Sequence, residues 1–134
     1  MLVMKSLNLI LGVAVGGGIG AVCRYLLTAA VNLVPTGPWK LGTLAVNLIG
    51  SFLFGVIWAK ADLKIQLESP VTIALLGGFC GAFTTFSTYA FQTVALARQG
   101  DMVWAGANLL VHNVLGILMV LMGLAVAGGL AGAK

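Results

Sequence analysis

The sequence from Gly77 to Thr93 reads GGFCGAFTTFSTYAFQT, within an apolar segment that runs from about Pro70 to Ala97 and is long enough to span a membrane. Besides Tyr89, its second half carries six hydrogen-bonding side chains, which are Thr84, Thr85, Ser87, Thr88, Gln92 and Thr93. Polar groups at bilayer depth are costly unless they pair with one another or line a wet cavity. The cluster therefore indicates an ion pathway or, alternatively, hydrogen bonds that hold helices together.

The whole chain has the composition of a membrane protein. It has 134 residues, of which 60% are hydrophobic and 7% are charged, whereas a soluble domain carries about a quarter charged residues. So small a soluble domain could not cover such a surface with polar groups. The Lys and Arg residues are scattered, which argues against nucleic-acid binding. Cys23 and Cys80 lie in apolar stretches and are typical of packing residues, not of a disulfide framework or zinc site.

Four segments are long and apolar enough to cross roughly 30 Å of hydrocarbon as helices. They run from about 7 to 34, 42 to 59, 70 to 97 and 102 to 130. The connectors are short, and the two prolines and the glycine at positions 35–38 indicate a turn in the first of them. We therefore predict an all-α integral membrane protein, with one four-helix domain over residues 1–134.

The distribution of Lys and Arg specifies the membrane orientation only weakly. An even number of spans places Lys5, Lys60, Lys64 and Lys134 on one side, against two or three basic residues on the other, depending on Arg24. The positive-inside rule orients a protein through an imbalance of these charges. The chain therefore has a small but sufficient bias, or it inserts in both orientations.

The spans carry glycines at a spacing of four residues. Gly12, Gly16 and Gly20 form one such series, and Gly77 and Gly81 form a second. Small residues at this spacing let helix backbones approach closely in lipid. The pattern predicts close packing, either between copies of the chain or within a single copy.

The third span is too long for one straight helix across the hydrocarbon core. Its 28 residues would extend about 42 Å at 1.5 Å per residue, so the helix is tilted or broken. A break near Gly77–Thr85 would free backbone carbonyl oxygens, which coordinate small cations. Phe83, Phe86 and Tyr89 follow at helical spacing, as packing residues or as rings that face an ion.

The three acids, Asp62, Glu68 and Asp101, all lie outside the predicted spans. A proton-coupled cation exporter needs a carboxylate within the membrane, so this class is disfavoured. Arg24 lies within the first span, where it either reaches the interface or sets a positive potential for an anion. His112 in the fourth span is a core hydrogen-bonding residue or a pH sensor.

Further polar residues within the spans include Asn47 in the second and Asn108 in the fourth. Both are candidates for a polar track through the protein. No nucleophile–base pair, metal triad or phosphate-binding loop is visible in the sequence. We therefore predict that the protein is not an enzyme.

Three motifs resemble those of the Fluc/CrcB fluoride-channel family. Residues 17–25 (GGIGAVCRY), with Gly16 before them, resemble its GGxxGAxxR[YW] opening, and residues 42–50 (GTLAVNLIG) are similar to its GTLxxNxxG motif. Residues 78–89 (GFCGAFTTFSTY) resemble its GxxGGxTTFSTF signature. The similarity covers the first three spans well and the fourth loosely.

This resemblance implies an antiparallel, dual-topology homodimer in the cell inner membrane, with a broken third helix. Two pores per dimer would let fluoride leave the cytoplasm passively. A central structural Na⁺ would be held by backbone carbonyls at the break, which by motif position belong to Gly81 and Thr84 of both subunits. The partners implied are fluoride, a second copy of the chain and the lipid bilayer, with no nucleic acid.

The resemblance also implies a fluoride pathway. The family's paired phenylalanines, whose ring edges face fluoride, fall on Phe86 and Tyr89, and the pore asparagine falls on Asn47. Arg24 matches the family's first-helix arginine, as a residue of the vestibule. The remaining candidates for the pathway are Ser87, Thr88 and Gln92, with Thr43, Asn108 and His112 as possible contributors.

The chain departs from the family pattern at several positions. Tyr89 replaces the second phenylalanine, and its hydroxyl adds a donor. Gln92 stands where glutamate is common, and Ala82 replaces a glycine. Gly116 and Val120 stand where the family usually carries fourth-span hydroxyls. A subunit that works only with a second homologue is one reading of these differences.

Two other functions are alternatives to a channel. A small four-helix multidrug exporter would carry an acid within its first span, and this chain has none there. A structural membrane subunit without transport would show no ion dependence, and it would tolerate polar substitutions in the third span.

Overall fold

The computed structural model describes residues 2–34, 39–63 and 66–128, and within these ranges the protein is helical without a strand. Four stretches are long and apolar enough to cross a membrane: Leu7–Val31, Leu41–Asp62, Pro70–Arg98 and Met102–Val126. The prediction of an all-α chain with four membrane-spanning helices is confirmed. The predicted turn at positions 35–38, together with Lys64 and Lys134, lies outside the described residues.

The first and last helices end earlier than the hydropathy pattern predicts. Helix α1 (Leu2–Val31) stops three residues short of position 34, and the side-chain oxygen of Asn32 then accepts a hydrogen bond from the backbone N–H of Gly42. Helix α6 (Met102–Val126) ends before Gly128, which has a φ of 81° and terminates the helix as glycine commonly does. Positions 129 and 130, also predicted in the fourth span, lie outside the described residues.

The second helix is longer than the sequence predicts. Helix α2 (Leu41–Leu63) begins one residue before position 42 and continues four residues past position 59. Lys60 and Asp62 therefore lie in its last turns and not in a connector. Hydropathy locates the apolar stretch, whereas the helix continues into the polar residues at its end.

The third span consists of several helical pieces. Helix α3 (Pro70–Ile73) is capped by Ser69, whose hydroxyl accepts from the N–H of Thr72. It continues as a π-helical segment, Ala74–Cys80, and as the short helix α4 (Gly81–Phe83). Thr84 (φ −84°, ψ 160°) and Thr85 (φ −146°, ψ 99°) are extended. Helix α5 (Phe86–Arg98) then completes the span.

The four spans pack in an interleaved order. The most extensive contacts join α2 to α6, and the π-helical segment to α1. Consecutive spans such as α1 and α2 touch less. The bundle is therefore two pairs, first with third and second with fourth, and the break in the third span faces α2.

In both helix pairs, glycines allow the backbone of one helix to contact the backbone of the other. A methyl group at Gly20 would meet the carbonyl of Phe79. One at Gly123 would meet the backbone of α2 at Phe52 and Val56. The glycine series of α1 therefore packs within the chain. In the second series, a methyl group at Gly77 would meet nothing, and Gly77 and Gly81 both lie on an exposed face.

Candidate functional site: the interrupted third span

Asn47 on α2 binds the backbone of the third span where helical structure stops. Its side-chain oxygen accepts from the N–H of Thr85 at 2.7 Å, and its side-chain nitrogen donates to the carbonyl of Thr85 at 3.3 Å. Thr85 is 7% exposed, so its peptide groups need such partners. Both polar atoms of Asn47 are therefore engaged in holding the extended segment.

The carbonyl oxygens of Gly81 and Thr84 lack the donors that a continuous helix would supply. The N–H of Thr85, four residues after Gly81, donates to Asn47 instead. The N–H of Thr88, four residues after Thr84, donates to the hydroxyl of Thr85 at 3.3 Å. Side chains have thus captured both N–H groups, which leaves the two carbonyls available to another ligand.

Thr88 lies where two cavities meet. The arginine cavity, about 330 Å³, is lined by Arg24, Thr28, Thr43, Thr85 and Thr88 among others. The hydroxyl of Thr85 donates to Thr88 Oγ1 at 2.8 Å, while accepting from the Thr88 N–H. Thr88 therefore keeps its own hydroxyl proton, for which the described residues offer no recorded acceptor.

The second cavity at Thr88 lies toward the start of α2. This glutamine cavity, about 470 Å³, is lined by Lys40, Thr88, Gln92 and Asn108 among others. Gln92 Nε2 donates to Thr43 Oγ1 at 2.7 Å, and Thr43 is almost fully buried. Arg24 and Lys40 thus contribute one cation to each cavity, and neither cavity has an acidic lining residue.

The two rings after the break differ in environment. Phe86 is 78% exposed, whereas Tyr89 is 6% exposed, and their rings meet edge to face with centroids 5.5 Å apart. Ser87 is also exposed on the surface of the single chain. Phe86 and Ser87 therefore face lipid or a partner, while Tyr89 faces the interior.

Tyr89 lines a third cavity, between α2, the break and α6. This tyrosine cavity, about 220 Å³, is lined by Asn47, Ser51, Thr84, Phe86, Tyr89, His112 and Asn113. The ring of His112 lies against that of Tyr89, with centroids 4.6 Å apart. Its Nδ1 is 3.1 Å from the carbonyl of Asn108, and its buried Nε2 has no hydrogen-bond partner among the described residues.

Asn108 holds α5 and α6 together. It is 6% exposed, and its Nδ2 donates to Thr93 Oγ1 at 2.7 Å. The same nitrogen lies 3.5 Å from the carbonyl of Tyr89, and Thr93 itself donates to that carbonyl at 3.0 Å. Part of the polar cluster read from the sequence therefore links helices, while Thr88 and Gln92 line cavities.

Ser51 is a polar residue that the sequence reasoning missed. It lines the tyrosine cavity and also an adjacent cavity of about 200 Å³, which includes Gly81, Thr84 and Val120. A methyl group at Gly116 would lie 3.8 Å from Ser51 Oγ, so the two positions face each other. Thr43, Asn47 and Ser51 are spaced by four residues on α2, and this stripe was the available signal.

Known proteins resemble this chain over most of its length. Residues 11–124 match the family described as "CrcB-like protein, Camphor Resistance (CrcB)". The "Fluoride-specific ion channel FluC" of Salinibacter ruber is 45% identical over 117 residues, 85% of this chain and 85% of that protein. Proteins of the same name from Shewanella amazonensis (44%; 87% of this chain, 94% of that protein) and Nitrosococcus oceani (36%; 86% and 92%) are also similar.

Proposed function

Since the chain belongs to the CrcB family, we propose that it is a fluoride-selective channel that lets fluoride leave the cytoplasm passively across the cell inner membrane. The observation that carries the proposal is the interrupted third span. Donor side chains and two cations surround it, and no acid lines the four cavities described above.

Fluoride needs such surroundings because it is small and strongly hydrated. Burying a bare ion costs on the order of tens of kcal/mol unless the protein replaces the lost water. Along the proposed route, Arg24 raises the local anion concentration, and Thr88 and Gln92 supply donors. The edges of Phe86 and Tyr89 carry the positive part of the ring quadrupole. A buried carboxylate would repel the ion, which fits the absence of acids from these linings.

Asn47 has an indirect part in this proposal. Because both of its polar atoms bind Thr85, it keeps the span open at the level of the rings. The break of the third helix is then a functional element held by α2. Asn47 Nδ2 keeps a second hydrogen and lines the tyrosine cavity, so its direct contact with fluoride stays a prediction.

The proposed active form is an antiparallel homodimer. One chain leaves Phe86 78% exposed, and Gly77 and Gly81 lie on an exposed face where a methyl group at Gly77 would meet nothing. A second copy would cover both and complete two pores. Opposite orientation of the two copies agrees with the weak charge bias of the sequence.

A structural Na⁺ at the centre of the dimer fits the same region. The carbonyls of Gly81 and Thr84 have lost their helical donors to Asn47 and Thr85. Carbonyl oxygens freed by a helix break are suitable ligands for a small cation. Gly81 and Thr84 of two copies would supply four such oxygens, and Na⁺ would fasten the subunits at the break.

The decisive experiment is fluoride efflux from liposomes that contain the purified protein. Vesicles loaded with potassium fluoride are diluted into fluoride-free buffer, valinomycin carries the counter-charge, and an electrode records release. We expect fast fluoride release and no chloride release from chloride-loaded vesicles. Equal release of both ions would contradict selectivity, and no release would contradict channel function and favour a structural subunit.

A further inference from the structure

The hydroxyl of Tyr89 has a fixed hydrogen-bond direction. Asn113 Nδ2 lies 2.7 Å from the carbonyl of Leu109 and 2.9 Å from Tyr89 Oη. A carbonyl oxygen only accepts, so the side-chain atom facing it is the amide nitrogen, with two hydrogens to donate. One hydrogen goes to Leu109 and the other to Tyr89. Tyr89 Oη is therefore an acceptor toward Asn113, and its own proton points elsewhere.

That proton has an open cavity beside it. Tyr89 is 6% exposed and lines the tyrosine cavity, and the described residues provide no recorded acceptor for its hydroxyl. The hydroxyl of Ser51 lines the same cavity and likewise has no recorded partner there. Gly116, opposite Ser51, contributes no side chain that could fill the space. Two unpaired O–H donors thus face one cavity of about 220 Å³.

An anion is the ligand that this arrangement suits. A small anion accepts from such O–H donors without any acceptor side chain, and a hydrogen bond to a charged group is a strong one. Asn47 lines the cavity too; its Oδ1 accepts from Thr85, and its Nδ2 donates one of its two hydrogens to the carbonyl of Thr85. No acidic residue lines the cavity. The two hydroxyls, together with the second amide hydrogen of Asn47, are therefore the donors offered to an ion.

We propose that Tyr89 and Ser51 form a fluoride-binding site through their hydroxyls, and that Asn113 is a positioning residue that turns the Tyr89 proton toward the ion. The inference rests on the proposed channel function and adds a donor pair beyond the ring edges. The Tyr89 hydroxyl then supplies a hydrogen-bond donor at the level where the fourth helix has Gly116, which has no side chain to donate.

Tyr89→Phe tests the site, because it removes the hydroxyl and keeps the ring. A hydrogen bond to a charged group accounts for about a tenfold change in equilibrium. We expect initial fluoride efflux at low fluoride concentration to fall about tenfold in Tyr89→Phe and in Ser51→Ala. Size-exclusion chromatography in detergent verifies that each variant keeps its oligomeric state.

The role of Asn113 is tested by a double-mutant cycle. Asn113→Leu alone should lower efflux, because the freed hydroxyl rotates away from the cavity. On the Tyr89→Phe background, Asn113→Leu should have no further effect, whereas a purely structural role would lower efflux again. Wild-type efflux in Tyr89→Phe, or multiplied losses in the double variant, would overturn the inference while leaving the channel intact. A wild-type protein that releases no fluoride would overturn both.

Discussion

Replacing Asn47 by Leu tests whether its bonds to Thr85 hold the break. Leu has a similar size but neither donates nor accepts. The substitution leaves the N–H and the carbonyl of Thr85 without their partners, which lie at 2.7 and 3.3 Å. Thr85 is 7% exposed, and an unsatisfied buried polar group costs about 1–3 kcal/mol. We assign about 2 kcal/mol to the N–H and about 1 kcal/mol to the carbonyl, whose bond is longer. The extended segment should therefore lose about 3 kcal/mol of stability.

The same substitution should nearly abolish transport. Once Asn47 is removed, the N–H of Thr85 is free to bond to the carbonyl of Gly81 and extend α4 through the break. About 1.4 kcal/mol corresponds to a tenfold change in population. A loss of about 3 kcal/mol therefore lowers the population of molecules with the extended segment roughly a hundredfold. We expect fluoride efflux from liposomes to fall by about that factor, with a lower thermal unfolding temperature in detergent.

A matched control is available in Asn32, which also bridges to α2 but far from the break. Its side chain accepts a single hydrogen bond, from the N–H of Gly42 at 3.0 Å. Asn32→Ala should cost about 1 kcal/mol of stability and leave efflux unchanged. Wild-type efflux in Asn47→Leu would refute the reasoning, as would equal efflux losses in both variants.

Three further perturbations follow from the structure. Phe86→Ile should cut fluoride efflux at least tenfold without changing the elution volume on size-exclusion chromatography, and unchanged efflux would contradict the ring-edge assignment. Gly123→Ala should cost roughly 1–3 kcal/mol of stability through strain against α2 and lower the unfolding temperature, whereas Gly106→Ala, in open space, should not. Acidification should increase efflux above that of protein-free vesicles once His112 is protonated, because its unpaired Nε2 then carries a proton that it can donate. His112→Gln should lose this increase, because the glutamine side chain has no ring nitrogen to protonate.

Much of the architecture is readable from hydropathy. Apolar stretches of sufficient length identify the four helices, because every backbone group in lipid must be paired within the segment. The ends are less predictable, since local caps decide them. Asn32 and Gly128 end their helices inside stretches that remain apolar. At the end of α2 the helix instead continues through Lys60 and Asp62.

The site is only partly predictable. The polar residues after Thr84 are visible in the sequence, but their division between cavities and helix contacts depends on which side of α5 meets α6. Asn47 pairs with a backbone 38 residues away, and no local pattern signals such a bond. The π-helical segment likewise has no sequence signature. The segment lies where glycines of α1 contact its backbone. Its π-helical form therefore coincides with a tertiary contact and not with a local conformational preference of its residues.

The interleaved packing of the bundle has a consequence for biogenesis. A span emerging from the ribosome normally finds its neighbour already in the membrane, but here α2 packs most extensively on α6, the last helix to be made. The first helix must likewise wait for the third. The first three spans are therefore inserted before α2 can meet α6, so the bundle reaches its final packing only after α6 enters the membrane.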